Sequence, residues 1–345
     1  MWKINVIGWL FYFVSQMVLG QTRQSTSLDR ALLATTFAKV DSLLSLDQGN
    51  FWGHSLKGPI LVVSPTTRVF IANQQNKRQS FQPLSPLFSD TLPEALPVAN
   101  TALNWEGKRW TMVLWPLPEE PTARNHLIIH ELFHYIQPAI GFDSLREANN
   151  SHLDTYDGRV LLRLELQALQ AALSTEHNTE QREHLAQALL FRQQRHQSTA
   201  IKEAEDRLEL NEGLAEYTAA MLSGRKPEAL KKHFIQQIDQ FYKMSTFVRS
   251  FAYYTVPVYG YLLALQKPNW HQSVTRNTSL TDLFSDAFAL STASPATTIA
   301  SVTKQYGYPY DTIVQEETKR EEKRLTKIAK YKKTFIEDNT LKLPF

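Results

Sequence analysis

The sequence predicts an α+β fold in which a small mixed β-sheet packs on a predominantly α-helical core. Two observations carry this. Strand-length runs of β-branched and aromatic residues fall between Pro59 and Trp115, whereas apolar residues at helical spacing occur before that region, from Leu28 to Leu46, and after it, from about Pro121 to Lys333. The 345 residues are 43% hydrophobic and 21% charged, ordinary globular proportions with enough apolar material for a sizeable core. A formal net charge of +3 offers no broad basic field for a nucleic-acid partner and no long acidic tail. There is no cysteine, so disulfides and thiolate metal ligands are excluded, and any zinc must be held by His, Glu or Asp.

Residues 1–20 read as a signal peptide: Lys3 supplies the positive start, Ile4 to Leu19 is mostly apolar, and Val18-Leu19-Gly20 forms the cleavage region before polar Gln21-Thr22-Arg23-Gln24. The expectation is an exported chain, periplasmic or secreted, with no membrane span left after cleavage. Residues 21–345 are then one unit, with the sheet in 21–118 and the helices in 119–345. Leu28 to Leu46 is a helix ended by Asp47-Gln48-Gly49-Asn50. Pro59 to Val63 and Arg68 to Asn73 form a hairpin-like strand pair around the Pro65-Thr66-Thr67 turn, and Gln74 to Ser89, polar and Pro-bearing, reads as a surface loop. Lys108 to Trp115 is the strongest strand signal, entered through the turn residues Glu106-Gly107. Its edge could hydrogen-bond an extended peptide by strand addition, but its side chains favour an ordinary sheet strand of the core.

Helices follow at Gly158–Leu173, Thr179–Gln197 (read as a solvated face), Ile201–Met221, Ala229–Tyr242, Leu280–Ala289 and Thr297–Gln305. The charged stretch from Gln315 to Lys333 reads as a solvated helix, with Phe335-Ile336 and Leu341 to Phe345 docking back as a terminal strand.

Between the strand region and these helices stands His130-Glu131-Leu132-Phe133-His134, of the form H-E-x-x-H, with Pro121 suited to a first helical turn and Pro138 to a stop. Residues four apart share one helix face, so His130 and His134 can offer two imidazole nitrogens to one ion. Glu131, one position round, can hold and deprotonate a metal-bound water without being a ligand. His126 lies a further turn back, too far for three ligands from one straight helix. A catalytic zinc site needs a third protein ligand and an open position. Leu210-Asn211-Glu212-Gly213-Leu214-Ala215-Glu216-Tyr217 stands out, because an acidic residue and Gly interrupt a helical pattern. Glu165, on an apolar helix, is an alternative third ligand.

H-E-x-x-H followed downstream by N-E-G-L-A-E-Y resembles the gluzincin metallopeptidases, the thermolysin-like group and especially the large zinc aminopeptidases. The resemblance spans about Trp110 to Leu265 and implies a zincin catalytic core. It also implies Glu212 as the third zinc ligand, with the helices between His134 and Glu212 as an insertion. Glu216, one turn on, would orient a zinc-bound His or hold substrate. It further implies a catalytic tyrosine at Tyr253, in the stretch Phe251 to Leu263. Val256 stands where the family has Gly, so Tyr254 and Tyr259 remain open. The G-x-M-E-N stretch that anchors a substrate amino terminus in the aminopeptidases is absent, and the metzincin pattern fails at Gln137 and Ile140. The activity implied is zinc-dependent hydrolysis of peptide or protein substrates, with Glu131 moving the proton. Its rivals are an inactive exported binding protein on the same scaffold and an H-E-x-x-H hydrolase of non-peptide substrates.

Overall fold

The computed structural model describes residues 27–143, 145, 148–289 and 298–337. The segment 1–20, Thr297 and Leu341 to Phe345 lie outside the described residues. Among the described residues, no helix is long and apolar enough to cross a membrane. The architecture is α+β. The described chain falls into two compact units: one holds the residues up to Leu145 with Leu214–Leu230 and Lys267–Arg276, and the other those within Arg146–Gly213, Lys231–Gln266 and Asn277–Phe345.

The first unit opens with helix α1 (Arg30–Asp47), capped by Asp29, whose carboxylate accepts from Leu32 N. Six strands follow: β1 (Ile60–Val63), β2 (Val69–Ala72), β3 (Gln82–Leu84), β4 (Leu87–Thr91), β5 (Thr101–Trp105) and β6 (Lys108–Leu114). They form one sheet in the order β3-β4-β2-β1-β6-β5. β1 and β6 run parallel while the other neighbours are antiparallel, so the sheet is mixed. The expected hairpin is present, with Val62 opposite Ile71. Glu106 and Gly107 both take positive φ, 49° and 72°, the tight turn that a right-twisted strand pair needs. One face buries Phe70, Phe81, Trp110 and Met112 together.

One expectation is corrected here. Gln74 to Ser89 is not a plain loop, since β3 and β4 begin within it and Phe81 joins the core. Its strand signal is weak because β3 is an edge strand, where Pro83 can be tolerated without its N–H. The strong strand β6 is no edge: β1 and β5 occupy its two sides, so it cannot receive a peptide by strand addition. Helix α2 (Pro121–Ile136) lies on β5 and β6. Its free N–H groups are met by Glu120, whose Oε1 accepts from Thr122 N at 2.8 Å. Helix α6 (Leu214–Leu222) packs along α2 in the same unit.

The second unit is helical: α3 (Tyr156–Ser174), α4 (Asn178–Arg195), α5 (Thr199–Leu208), α8 (Ala252–Ala264), α9 (Leu280–Ala287), α10 (Ile299–Tyr306) and α11 (Tyr310–Lys332), with most of α7 (Pro227–Phe241). α4 is not the solvated face expected, because Arg192 and Arg195 near its end are fully buried. Arg192 donates to Glu165 and Glu209 at 2.7 Å each, and Arg195 to Glu165 and Glu205 at 2.7 Å each. Burial of these charges is sustained only because each meets a partner. α11 is likewise anchored along its first half: Glu317 is buried between Arg159 and Arg163 of α3, which also reach Glu321 and Glu316. Phe335 and Ile336 do not dock as a strand. They lie exposed in a π-helical turn, Lys333–Glu337, where the backbone stays paired within the helix it extends.

Candidate metal centre

α2 is buried over most of its length, including His130 and Glu131. Both histidines of the motif are oriented through their Nδ1 atoms. His130 Nδ1 meets Glu216 Oε2 at 3.0 Å, and His134 Nδ1 meets Gln137 Oε1 at 2.9 Å. That leaves the two Nε2 atoms facing each other 3.2 Å apart. Two nitrogens bound at zinc's usual distance to one tetrahedral ion stand about 3.3 Å apart, so this pair fits a shared cation. Arg109 of β6 fixes the end of the helix, donating to the carbonyls of His134 and Tyr135 at 3.0 and 3.1 Å.

Glu216 bridges two imidazoles, meeting His126 Nε2 at 2.7 Å besides His130. Arg225 continues the chain at His126 Nδ1, 3.0 Å away. Burial alone would raise the Glu216 carboxyl, but His126 and His130 beside it hold it well below the usual carboxylate range. The arrangement is that of a carboxylate holding a metal-ligating histidine in one tautomer.

Glu212 belongs to a π-helical turn, Glu209–Gly213, that joins α5 to α6 in one unbroken helix. Asn211 Nδ2 donates to its Oε1 at 2.8 Å, and the Tyr253 hydroxyl donates to its Oε2. A single extra residue in the turn re-aims neighbouring side chains, which is why such turns recur at functional sites. Gly213 is required by packing: a Cβ there would stand 2.5 Å from Val256 Cγ2 and 3.1 Å from the Ala252 carbonyl. Val256 thus fills the space that Gly213 leaves. One ligand atom from each of His130, His134 and Glu212 lies within 4.8 Å of the others. Two imidazoles and a carboxylate suit a borderline cation such as zinc.

The alternatives separate by position. Both Glu165 oxygens are taken by Arg192 and Arg195, so its carboxylate serves that buried network. Tyr259 also turns there, donating to Glu165 Oε1 at 3.0 Å. Tyr254 packs its ring against Phe241, centroids 4.7 Å apart. Three positioning groups were not anticipated for these roles: Gln137, Arg109 and the His126–Arg225 extension. Only Gln137 had a signal in the sequence, standing one helical turn after His134 on the same face.

The fold and this donor set define an α+β chain with a candidate centre for one divalent cation. Searched against protein-family models, curated proteins and solved structures, the chain has no match.

Proposed function

We propose that the protein is an exported, zinc-dependent peptidase of gluzincin type. The observation that carries this reading is the pair of Nε2 atoms at 3.2 Å with Glu212 completing the set. His130, His134 and Glu212 would hold the ion, and Glu216 and Gln137 would keep the imidazoles in the ligating tautomer. A bound zinc would supply a Lewis acid and a water acidic enough to attack at neutral pH. Glu131, buried and next to His130 in sequence, would accept a proton from water at the site and return it to the leaving amine. Tyr253, whose hydroxyl donates to the Glu212 carboxylate, would have to turn that proton to a developing oxyanion to assist. The intact Glu131 favours turnover over an inactive scaffold, since mere metal holding has no use for it.

The test is a peptide-library digest with and without chelator, repeated with Glu131→Gln. The variant should retain zinc in stoichiometric amount while hydrolysis falls by about 10²–10⁴-fold. An unchanged rate in Glu131→Gln would remove this mechanism, and cleavage indifferent to chelator would remove the metal.

A further inference from the structure

The carboxy-terminal end of α11 carries a surface that the proposed peptidase centre does not use. The face that anchors this helix on α3, through Ile313 and Glu317, continues beyond Arg324 as Ile328, Tyr331 and Phe335, at spacings of three and four residues. Past Arg324 the face is open: Ile328 is 47%, Tyr331 50% and Phe335 63% exposed. Leu325 and Ile336, 52% and 66% exposed, widen the same side. Within it, the Tyr331 and Phe335 rings stand 5.9 Å apart and Lys327 Nζ lies 5.5 Å over the Tyr331 ring. Five large apolar side chains exposed along about three helical turns are unusual for a surface that meets only water.

Charge decides what could cover it. From Lys323 to Lys333 the helix carries six cations (Lys323, Arg324, Lys327, Lys330, Lys332 and Lys333) and no carboxylate. Arg324 pairs with Glu321 and Lys332 with Glu337, while Lys323, Lys330 and Lys333 have no ion pair among the described residues. A second copy of this helix laid on the first would set these cations against each other, which opposes self-association. An anionic bilayer satisfies both features: it takes the apolar side chains at the acyl boundary and the lysines at the headgroups.

We propose that the end of α11, Lys323–Glu337, docks the protein on anionic lipid surfaces, with Ile328, Tyr331 and Phe335 entering the interface and the flanking lysines meeting headgroup phosphates.

Because the chain has no cysteine, single-cysteine variants report locally even if other segments also meet lipid. Ile328→Cys, Phe335→Cys and Lys330→Cys in the full chain would each be labelled with an environment-sensitive fluorophore. They would then be titrated with vesicles of phosphatidylcholine alone or of phosphatidylcholine with phosphatidylglycerol. The expected result is a blue shift at 328 and 335, with little at 330, only with the anionic vesicles. Charge reversal at two of the exposed lysines, Lys323→Glu with Lys327→Glu, should weaken this partitioning at least tenfold. No shift with anionic vesicles, or equal shifts with neutral ones, overturns the proposal. So does a blue shift without lipid, whether constant (cover from this chain's own tail) or rising with protein concentration (a second copy). Binding to a soluble polyanion that leaves 328 and 335 in water overturns it as well.

Discussion

His130 offers its Nε2 because its Nδ1 is already committed to Glu216, 3.0 Å away. Without that carboxylate the imidazole could adopt either tautomer and turn, and a ligand that must first be ordered binds metal less tightly. Glu216→Gln should therefore lower zinc affinity by about 10–100-fold, read by competition with a chelating dye. An affinity equal to the parent's would mean that the carboxylate plays no part in orienting the ligand. At this scale much of the site was readable in advance. The four-residue spacing of His130 and His134 states that their side chains share a face, and the interruption at Asn211-Glu212-Gly213 marks an acidic residue in an unusual backbone setting. Glu216 sits one turn beyond Glu212 and could be suspected for the same reason. Its second partner, His126, could not be seen as such, because 90 residues separate the two and only the packing of α6 on α2 joins them.

The π-turn Glu209–Gly213 is the element on which the candidate centre depends. It exists at a place where α8 approaches closely enough to forbid a side chain at position 213. Gly213→Ala should cost about 1–3 kcal/mol, the usual penalty for overpacking a closed core. Only part of that loss should return when Val256→Ala is added, because the change removes the Val256 Cγ2 at 2.5 Å but leaves its Cβ at 2.8 Å and the Ala252 carbonyl at 3.1 Å. Urea unfolding of the two single variants and the double variant would measure this, and a neutral Gly213→Ala would show that α8 has room to yield. Elements were otherwise readable where one periodicity dominated: the β1–β2 pair, β6, α2 and α3 all follow from their apolar spacing. β3 and β4 were not, since an edge strand with Pro83 and polar neighbours has little local signal and is defined by its pairing. α4 was readable as a helix but not in its facing, because a rule that sends arginine to solvent fails where α3, α5 and the π-turn bring carboxylates to meet it.

At the scale of the whole molecule, the pH dependence of stability turns on the buried network of the second unit. Three carboxylates, Glu165, Glu205 and Glu209, share two guanidiniums, Arg192 and Arg195, with His152 and His196 both on Glu205. Burial would raise Glu205, but Arg195 and its other partners hold it well below the usual range. Glu209 is the carboxyl left short of compensation: burial dominates the pull of Arg192 and pushes it from 4.5 up to about 7. A carboxyl raised in the folded state binds its proton there before it does in the unfolded chain, so between these values the folded protein holds more protons, and stability falls as pH rises. Its stabilising contribution is complete below about pH 4.5 and is gone above about 7, at no more than about 1.4 kcal/mol per pH unit. Glu205 and Glu216 are depressed and act in the opposite sense, their contribution being present above their unfolded values and lost on further acidification. Stability should thus peak on the acidic side of neutrality. Urea midpoints measured from pH 4 to 8 with chelator present, so that proton release by a bound cation does not enter, should decline through the middle of that range. Glu209→Gln keeps a side chain of the same shape and removes the titration, so its profile there should be flatter than the parent's. A midpoint that rises with pH from 4.5 to 7, or a Glu209→Gln profile that keeps the parent's slope, would show that the network disposes of its surplus charge elsewhere.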